Sequence, residues 1–345
     1  MRLAHEVVAL RTRHPFVIAR GGAADHRVVQ VTLTDDDGAT GHGEAAPNRF
    51  YGETPETVAA ALARYAPVLA AADAWSLEAI EAELPRVLRG NAAARSAISA
   101  ALHDLAATRL GVPLHRLWGL DPARAPRSSF TIGIVEDEAE LRRRIAEAAG
   151  YPILKVKLGS ARDEWVMRVV RDAAPDRTLR VDANAAWTPK HAVRMCALLA
   201  DHGVEFVEQP VAAHDLDGLR FVRDRSVLPI IADESCLVAT DVARLAGLVD
   251  GVNLKLAKCG GLREAHRIVA TARAHGLLVM AGCMVETSLG ITAAAHLAPL
   301  LDYADLDGAA LLAHDPMDGA TIAGGEIRLP DRPGLGVVPR LDATA

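Results

Sequence analysis

Two lysines one residue apart, Lys155 and Lys157, sit inside the otherwise apolar stretch YPILKVKLG, residues 151–159. Side chains alternate faces along a strand, so the pair shares one face. Asp182, Glu208, Asp233 and Lys255 lie at the ends of later short apolar runs, and the last run carries Asp305 and Asp307. Three carboxylates on successive strands suit a hard divalent cation. Mg2+ takes oxygen ligands in a near-octahedral shell and keeps room for water or substrate. Lysines on either side of the trio would flank whatever the metal holds. A lysine is a workable base only when its pKa falls well below about 10.4. Desolvation and a neighbouring cation both lower it, and Lys155 is such a neighbour for Lys157. Binding a substrate carboxylate is the second role open to Lys155. Alone, a KxK is more often a solvated edge strand, and a strand-end acid is often a helix cap. The set in register carries the functional reading.

The elements that must position these residues are legible as a repeat. From about residue 129, short apolar runs alternate with helix-like stretches roughly every 25 residues. The runs are SSFTIGI, ILKVKLG, LRVDANA, EFVEQP, LPIIADES, GVNLKLAK, LLVMAGC and DYADLDG. Segments such as DEAELRRRIAEAAG and REAHRIVATARAHG between them have helical apolar spacing and end in a glycine suited to a C-cap. Eight such units predict an all-parallel α/β sheet closed into a barrel, whose chemistry sits at the C-terminal ends of the strands. An open doubly wound sheet is the alternative, but no GxGxxG or P-loop follows any run. The first 120 residues differ. VVQVTLTDDDGATGHGEAAP predicts strand, turn and strand, and three alanine-rich helices follow. The chain therefore divides into an α+β domain over 1–120 and a barrel over 121–315, with the turn-rich tail 316–345 packing back on the first domain.

Composition narrows the class. Of 345 residues half are hydrophobic, enough for a sizeable core, and the net charge of −6 comes without the basic stripe of a nucleic-acid binder. The four cysteines, Cys196, Cys236, Cys259 and Cys283, form no CxxC pair. That argues against a disulfide framework and fits a reducing cytoplasm. No signal-peptide pattern follows Met1, and the apolar stretch near 58–73 reads as a helix of a soluble protein, broken by Arg64.

The motifs KVK, VDANAAW, VEQP, ADES and NLKLAKCGGL, in this order and spacing, resemble the enolase superfamily in its muconate-lactonizing-enzyme-like subgroup. GHGEAAP followed by YGET resembles that family's capping domain, so the likeness spans nearly the whole chain. It implies a (β/α)7β TIM-like barrel behind an N-terminal α+β capping domain. By the same likeness Asp182, Glu208 and Asp233 are the ligands of one Mg2+, and Lys157 and Lys255 are the acid/base pair. Lys258 is the competing candidate for the second lysine. Asn184 and Glu234 support the ligands. DLDG resembles the DxD motif of the dipeptide epimerases, in which Asp305 and Asp307 would hold a substrate α-ammonium group.

The implied activity is a metal-dependent isomerase inverting the α-carbon of a dipeptide's C-terminal residue by two-lysine 1,1-proton transfer through an ene-diolate. Lys155 and Thr131 (in FTIGI), with Cys283 and Met284 (in GCMVETSLG), join the substrate-binding set, although Cys283 and Met284 read first as packing residues. His42 reads as structural. Arg20, in the presumptive specificity loop HPFVIARGGAADHR, lies where some members place an arginine for an acidic side chain. Phe16 and Ile18 beside it would line an apolar pocket. An N-succinylamino-acid racemase or o-succinylbenzoate synthase is the alternative within the superfamily, and the two aspartates of DLDG oppose it. A Schiff-base aldolase would leave the carboxylates unexplained. A non-catalytic binding barrel is the remote alternative. The expected partner is a small dipeptide, with neither nucleic acid nor membrane, in a cytoplasmic homo-oligomer.

Overall fold

The computed structural model describes residues 1–340. Its first unit is an antiparallel sheet in the order β1 (Arg2–Ile18), β2 (Gly21–Thr34), β3 (Thr40–Ala45). Helices α1 (Pro55–Ala71), α2 (Leu77–Val87) and α3 (Ala92–Arg109) follow it. The expected turn between β2 and β3 is made by Asp35–Gly38, where the Gly38 N–H donates to the Asp35 carbonyl at 2.9 Å. The start of α1 is set by Thr54, which shares a reciprocal capping box with Thr57, and by Pro55 in the first turn. Alanine-rich α3 lies so close on β3 that a Cβ on Gly43 would collide with the Ala97 carbonyl.

The sequence pattern did not announce β1. Most of its 17 residues are at least partly exposed, so no clean apolar alternation marks it. It pairs with β2 from Arg2↔Thr34 to Ile18↔Gly21. The expected specificity loop 14–27 is therefore mostly strand, with its turn at residues 19 and 20.

After the short helix α4 (Leu114–Leu117) the barrel begins. Its strands are β4 (Phe130–Ile132), β5 (Ile153–Lys157), β6 (Thr178–Asp182), β7 (Val204–Glu208), β8 (Ile230–Ala232), β9 (Gly251–Leu254), β10 (Leu278–Gly282) and β11 (Tyr303–Asp305). They form one parallel sheet in sequential order, and all eight coincide with the eight runs read from sequence. Closure comes from the first and last strands. The Ser129 N–H donates to the Ala304 carbonyl at 3.1 Å, and the Ser128 hydroxyl accepts from the Leu306 N–H at 2.8 Å. The connecting helices are α5 (Glu138–Glu147), α6 (Asp163–Ala173), α7 (Pro189–Asp201), α8 (Leu216–Arg223), α9 (Ala239–Leu245), α10 (Leu256–Cys259) with α11 (Leu262–Ala274), and α12 (Ser288–Ala295). Seven connections and a final bare strand make a (β/α)7β barrel.

Outward strand residues such as Leu154, Val156, Leu179, Val181 and Val207 meet the helices in one continuous apolar core. Inside the barrel, Phe206, Ile231 and Met280 form a small separate plug, with the Arg180 guanidinium 5.4 Å from the Phe206 ring. The tail adds two small two-stranded sheets, β12 (Met317–Asp318) with β15 (Val338–Pro339) and, between them in the chain, the hairpin of β13 (Thr321–Ala323) with β14 (Glu326–Arg328). It does reach the first unit, where the Leu335 N–H donates to Asp104 of α3 at 2.6 Å. It also reaches the barrel, where the Gly325 carbonyl accepts from the Ser128 N–H at 2.8 Å. The last five residues of the expected tail, 341–345, lie outside the described part. Among the described residues no helix is long and apolar enough to cross a membrane.

Candidate active site

Register places the charged residues. Lys157 pairs with Asp182 across β5 and β6, and Asp182 pairs with Glu208 across β6 and β7. Asp233 follows directly on the end of β8. Carboxylate oxygens of Asp182, Glu208 and Asp233 all lie within 4.8 Å of one another, and all three residues are buried. Four lysines crowd this triangle. The Lys157 Nζ donates to Asp182 Oδ2 at 2.6 Å, and the Lys255 Nζ to Asp233 Oδ2 at 2.7 Å. Lys155 reaches Glu208 at 2.6 Å, Asp305 at 2.7 Å and Asp182 at 3.5 Å. Lys258 is bonded to the Asp233 carboxylate and to three backbone carbonyls, of Asp233, Cys236 and Asn253.

These contacts differ in what they leave open to the cavity. Lys258 is saturated by four acceptors and does not line the cavity above the barrel, whereas Lys157 and Lys255 do. Lys155 is also absent from the cavity wall. It is 1% exposed, and its ammonium lies among the carboxylates of Glu208, Asp305 and Asp182. Burial alone would depress its pKa. The charges of Asp305, Glu208 and Asp182 outweigh burial and raise it well above the usual lysine range. Lys255 is likewise raised, with burial opposed by Asp233 and Glu208. In Lys155 and Lys255 the lowering by desolvation is thus outweighed by the adjacent carboxylates.

The carboxylates divide. Burial pushes all three up. The Lys157 and Lys155 charges bring Asp182 down to about 2, and Lys255 and Lys258 hold Asp233 well below the carboxylate range. Glu208 goes the other way, to about 8, because burial and the Asp182 charge exceed the pull of Lys155. Around the triangle the buried oxygens Asn184 Oδ1, Glu234 Oε2 and Asn253 Oδ1 have no hydrogen-bond partner. A three-carboxylate, all-oxygen donor set ringed by unsatisfied acceptors fits a hydrated divalent cation such as Mg2+. Asn184 supports the set directly, donating from its backbone N–H to Asp182 Oδ1 at 2.8 Å and from its amide to Asp182 Oδ2 at 3.1 Å.

A cavity of about 1060 Å³ opens between the barrel mouth and the first unit. Thr131, Cys283, Met284, Asp305 and Asp307 all line it, as do Phe16 and Ile18 from the β1–β2 hairpin. His42 does not line it; its backbone N–H donates to Asp104 at 2.8 Å. Two of the anticipated binding residues are already engaged. The Arg20 guanidinium bonds Glu234 at 2.8 Å and the Asn184 carbonyl at 2.7 Å, and it lies 4.2 Å over the Phe50 ring. Asp305 takes Lys155 and the Ser129 hydroxyl, each at 2.7 Å. Asp307 accepts the Thr131 N–H at 2.6 Å, and among the described residues no lysine or arginine pairs with it. Burial and neighbouring Asp305 push its carboxyl up to about 7, the response of an acid short of a cation. Tyr51 and Phe50 join the site without any sequence signal, whereas Asn253 was legible as the residue that shares a strand face with Lys255, and it donates to Glu208 at 2.7 Å. The two aromatic residues come from a 3-10 turn at residues 49–51.

Comparison with known proteins follows the same lines. Residues 137–343 match the family model described as enolase C-terminal domain-like, and residues 3–119 match that of the mandelate racemase / muconate lactonizing enzyme N-terminal domain. The chain is 39% identical to the L-Ala-D/L-Glu epimerase of Bacteroides thetaiotaomicron, covering 95% of this chain and 85% of the relative. It is 41% identical to the hydrophobic dipeptide epimerase of Roseobacter litoralis, covering 98% and 99%. Among solved structures, the Enterococcus faecalis dipeptide epimerase complexed with Mg and L-Leu-L-Tyr superposes with a TM-score of 0.92. That match is 33% identical and covers 97% of this chain and 98% of the other.

Proposed function

Because the chain belongs to the mandelate racemase / muconate lactonizing enzyme family of the enolase superfamily, we propose that it is a Mg2+-dependent dipeptide epimerase, an isomerase that inverts the α-carbon of a dipeptide's C-terminal residue. The observation that carries this reading is the pairing of a buried carboxylate triangle with two cavity-lining lysines, each bonded to a different corner of it.

Asp182, Glu208 and Asp233 hold the metal. Bound there, Mg2+ supplies Lewis-acid stabilisation of the charge that develops on the substrate carboxylate, and it cancels the carboxylate charges that keep Lys255 protonated. Lys157 and Lys255 stand on β5 and just beyond β9, on opposite sides of the barrel mouth. One takes the α-proton and the other returns a proton to the opposite face, which inverts the centre. Lys155 keeps the strand ends β5, β6, β7 and β11 together by compensating their acids. Asp307 receives the α-ammonium group, with Asp305 behind it and Thr131 orienting both carboxylates. Cys283 and Met284 give that end of the cavity its shape. Arg20 and Glu234 tie the hairpin tip to the residue that follows Asp233. Residues 1–120, completed by the tail, act as the cap that shields the reaction from water. Four cysteines without a disulfide fit a cytoplasmic enzyme; assembly as a homo-oligomer rests on the family resemblance.

The test is incubation with a panel of L,L-dipeptides in D2O and Mg2+, with α-deuterium read by mass spectrometry and EDTA as control. The expected outcome is metal-dependent exchange at the C-terminal residue, and the panel ranks acidic, apolar and cationic side chains. Exchange only with N-succinylamino acids would mean that Asp307 has been assigned the wrong partner. Absence of exchange with either class overturns the reading.

A further inference from the structure

Next to the metal-binding triangle stands a residue whose side chain does not line the cavity above it. Gln209 directly follows the ligand Glu208 and is fully buried. Its φ is +35°, and Asn184 and Ala185, just past the ligand Asp182, are at +44° and +65°. Three of the four non-glycine residues with positive φ among the described residues thus lie immediately behind two of the ligands. Such backbone is uncommon outside glycine and costs about 1–3 kcal/mol per residue, so it persists only where surrounding bonds overdetermine it.

Gln209 supplies those bonds. Its Oε1 accepts the Asp233 N–H at 2.9 Å and the Ser235 N–H at 3.1 Å. Its Nε2 donates to the Val211 carbonyl at 2.9 Å and to the Ser235 hydroxyl at 2.8 Å. Its own N–H donates to the Ile231 carbonyl, and its carbonyl accepts from Ala185, both at 2.8 Å. One residue therefore fastens the ends of β6, β7 and β8, the strands that present the three carboxylates. Every polar group of the side chain is used, and none faces substrate.

We propose that Gln209 is a positioning residue that fixes the spacing of Asp182, Glu208 and Asp233 and so sets the affinity of the site for a divalent cation. Its amide grips the Asp233 backbone and its main chain grips β6 and β8. Loosening it lets the strand ends, and the carboxylates they carry, drift from the spacing the cation needs. Groups of this kind behind metal ligands typically contribute about 10–100-fold to metal affinity.

This inference rests on the metal reading given above, and the experiment separates the two. Mg2+ is titrated calorimetrically into EDTA-stripped full-length wild type, Q209A, Q209M and S235A. The position-209 variants are expected to bind Mg2+ about 10–100-fold more weakly, and S235A, which removes one of the four side-chain bonds, a few-fold more weakly. Raising Mg2+ should recover kcat in Q209M with little change in KM for the dipeptide, which a general loss of folding would not do. Wild-type Mg2+ affinity in Q209A or Q209M overturns the proposal. If neither variant folds, S235A decides, and an affinity within about twofold of wild type overturns it. Failure of the wild type itself to bind Mg2+ would instead sink the metal reading.

Discussion

Lys157 and Lys255 each touch one carboxylate of the triangle and open onto the cavity, while Lys155 and Lys258 have the same chemistry but no access to it. In the proposed mechanism access, not residue type, separates bases from counter-ions. Replacing either Lys157 or Lys255 with Ala should lower epimerisation by about 10²–10⁴-fold, the usual weight of a positioned acid or base. Each variant should retain deuterium exchange only on the face served by the remaining lysine. Near-normal turnover in either would end the two-base scheme. The residue types and their strand-end positions were legible in the sequence, because period-2 alternation and the strand repeat fix them. The pairing of Arg20 with Glu234, and of Asp305 with Lys155, was not, because each joins residues about 150 or more positions apart whose meeting depends on barrel closure.

At the scale of elements, α12 and the tail are joined through one imidazole. His296, which ends α12, accepts the His115 N–H at its Nδ1 at 3.2 Å and donates from Nε2 to the Leu335 carbonyl at 3.1 Å. It also stacks on the His115 ring at 5.4 Å. These partners require the neutral tautomer, since a proton on Nδ1 would face an N–H donor. Burial accordingly lowers its pKa to about 4. The unfolded chain takes up this proton below about pH 6.5 and the folded chain resists it. The stabilisation is therefore complete above about pH 6.5 and is lost as pH falls towards 4, by up to about 3 kcal/mol. Urea midpoints of wild type should fall more steeply over this window than those of H296N. Parallel slopes would remove His296 from the pH dependence. Strand β1 illustrates the opposite case, an element invisible in the pattern. It is mostly exposed, and its pairing with β2 supplies a stability that its own residues do not advertise.

For the whole molecule, the cap is locked to the barrel by polar contacts across the interface. The buried Glu44 carboxylate of β3 accepts the Thr287 N–H at 2.9 Å, and the Ser99 hydroxyl of α3 accepts from Leu262 at 3.0 Å. Inside the barrel, the three acids are brought together only in the folded chain, so a cation that binds them there stabilises the fold. Mg2+ should therefore raise the thermal midpoint, in proportion to RT ln(1 + [Mg2+]/Kd), or about 2.7 kcal/mol at a hundredfold excess over Kd. EDTA should reverse the gain, and D182N should lose most of it. An unchanged midpoint at saturating Mg2+ would contradict a site of this kind.

The sequence by itself determined the eight strands, their order and the residues at their ends. A parallel barrel needs a repeated strand–helix pattern, and a strand end needs only a count along the chain. It also determined the family, because several short motifs in register are far more specific than any one of them. Tertiary structure alone decided which charges meet. It buried Lys155 beneath the carboxylates, committed Lys258 to backbone carbonyls, drew Arg20 into an ion pair with Glu234 and placed Gln209 across three strand ends. In each case the physical reason is the same: partner choice among buried polar groups is set by distance after the barrel closes, and distance through space is not written in spacing along the chain.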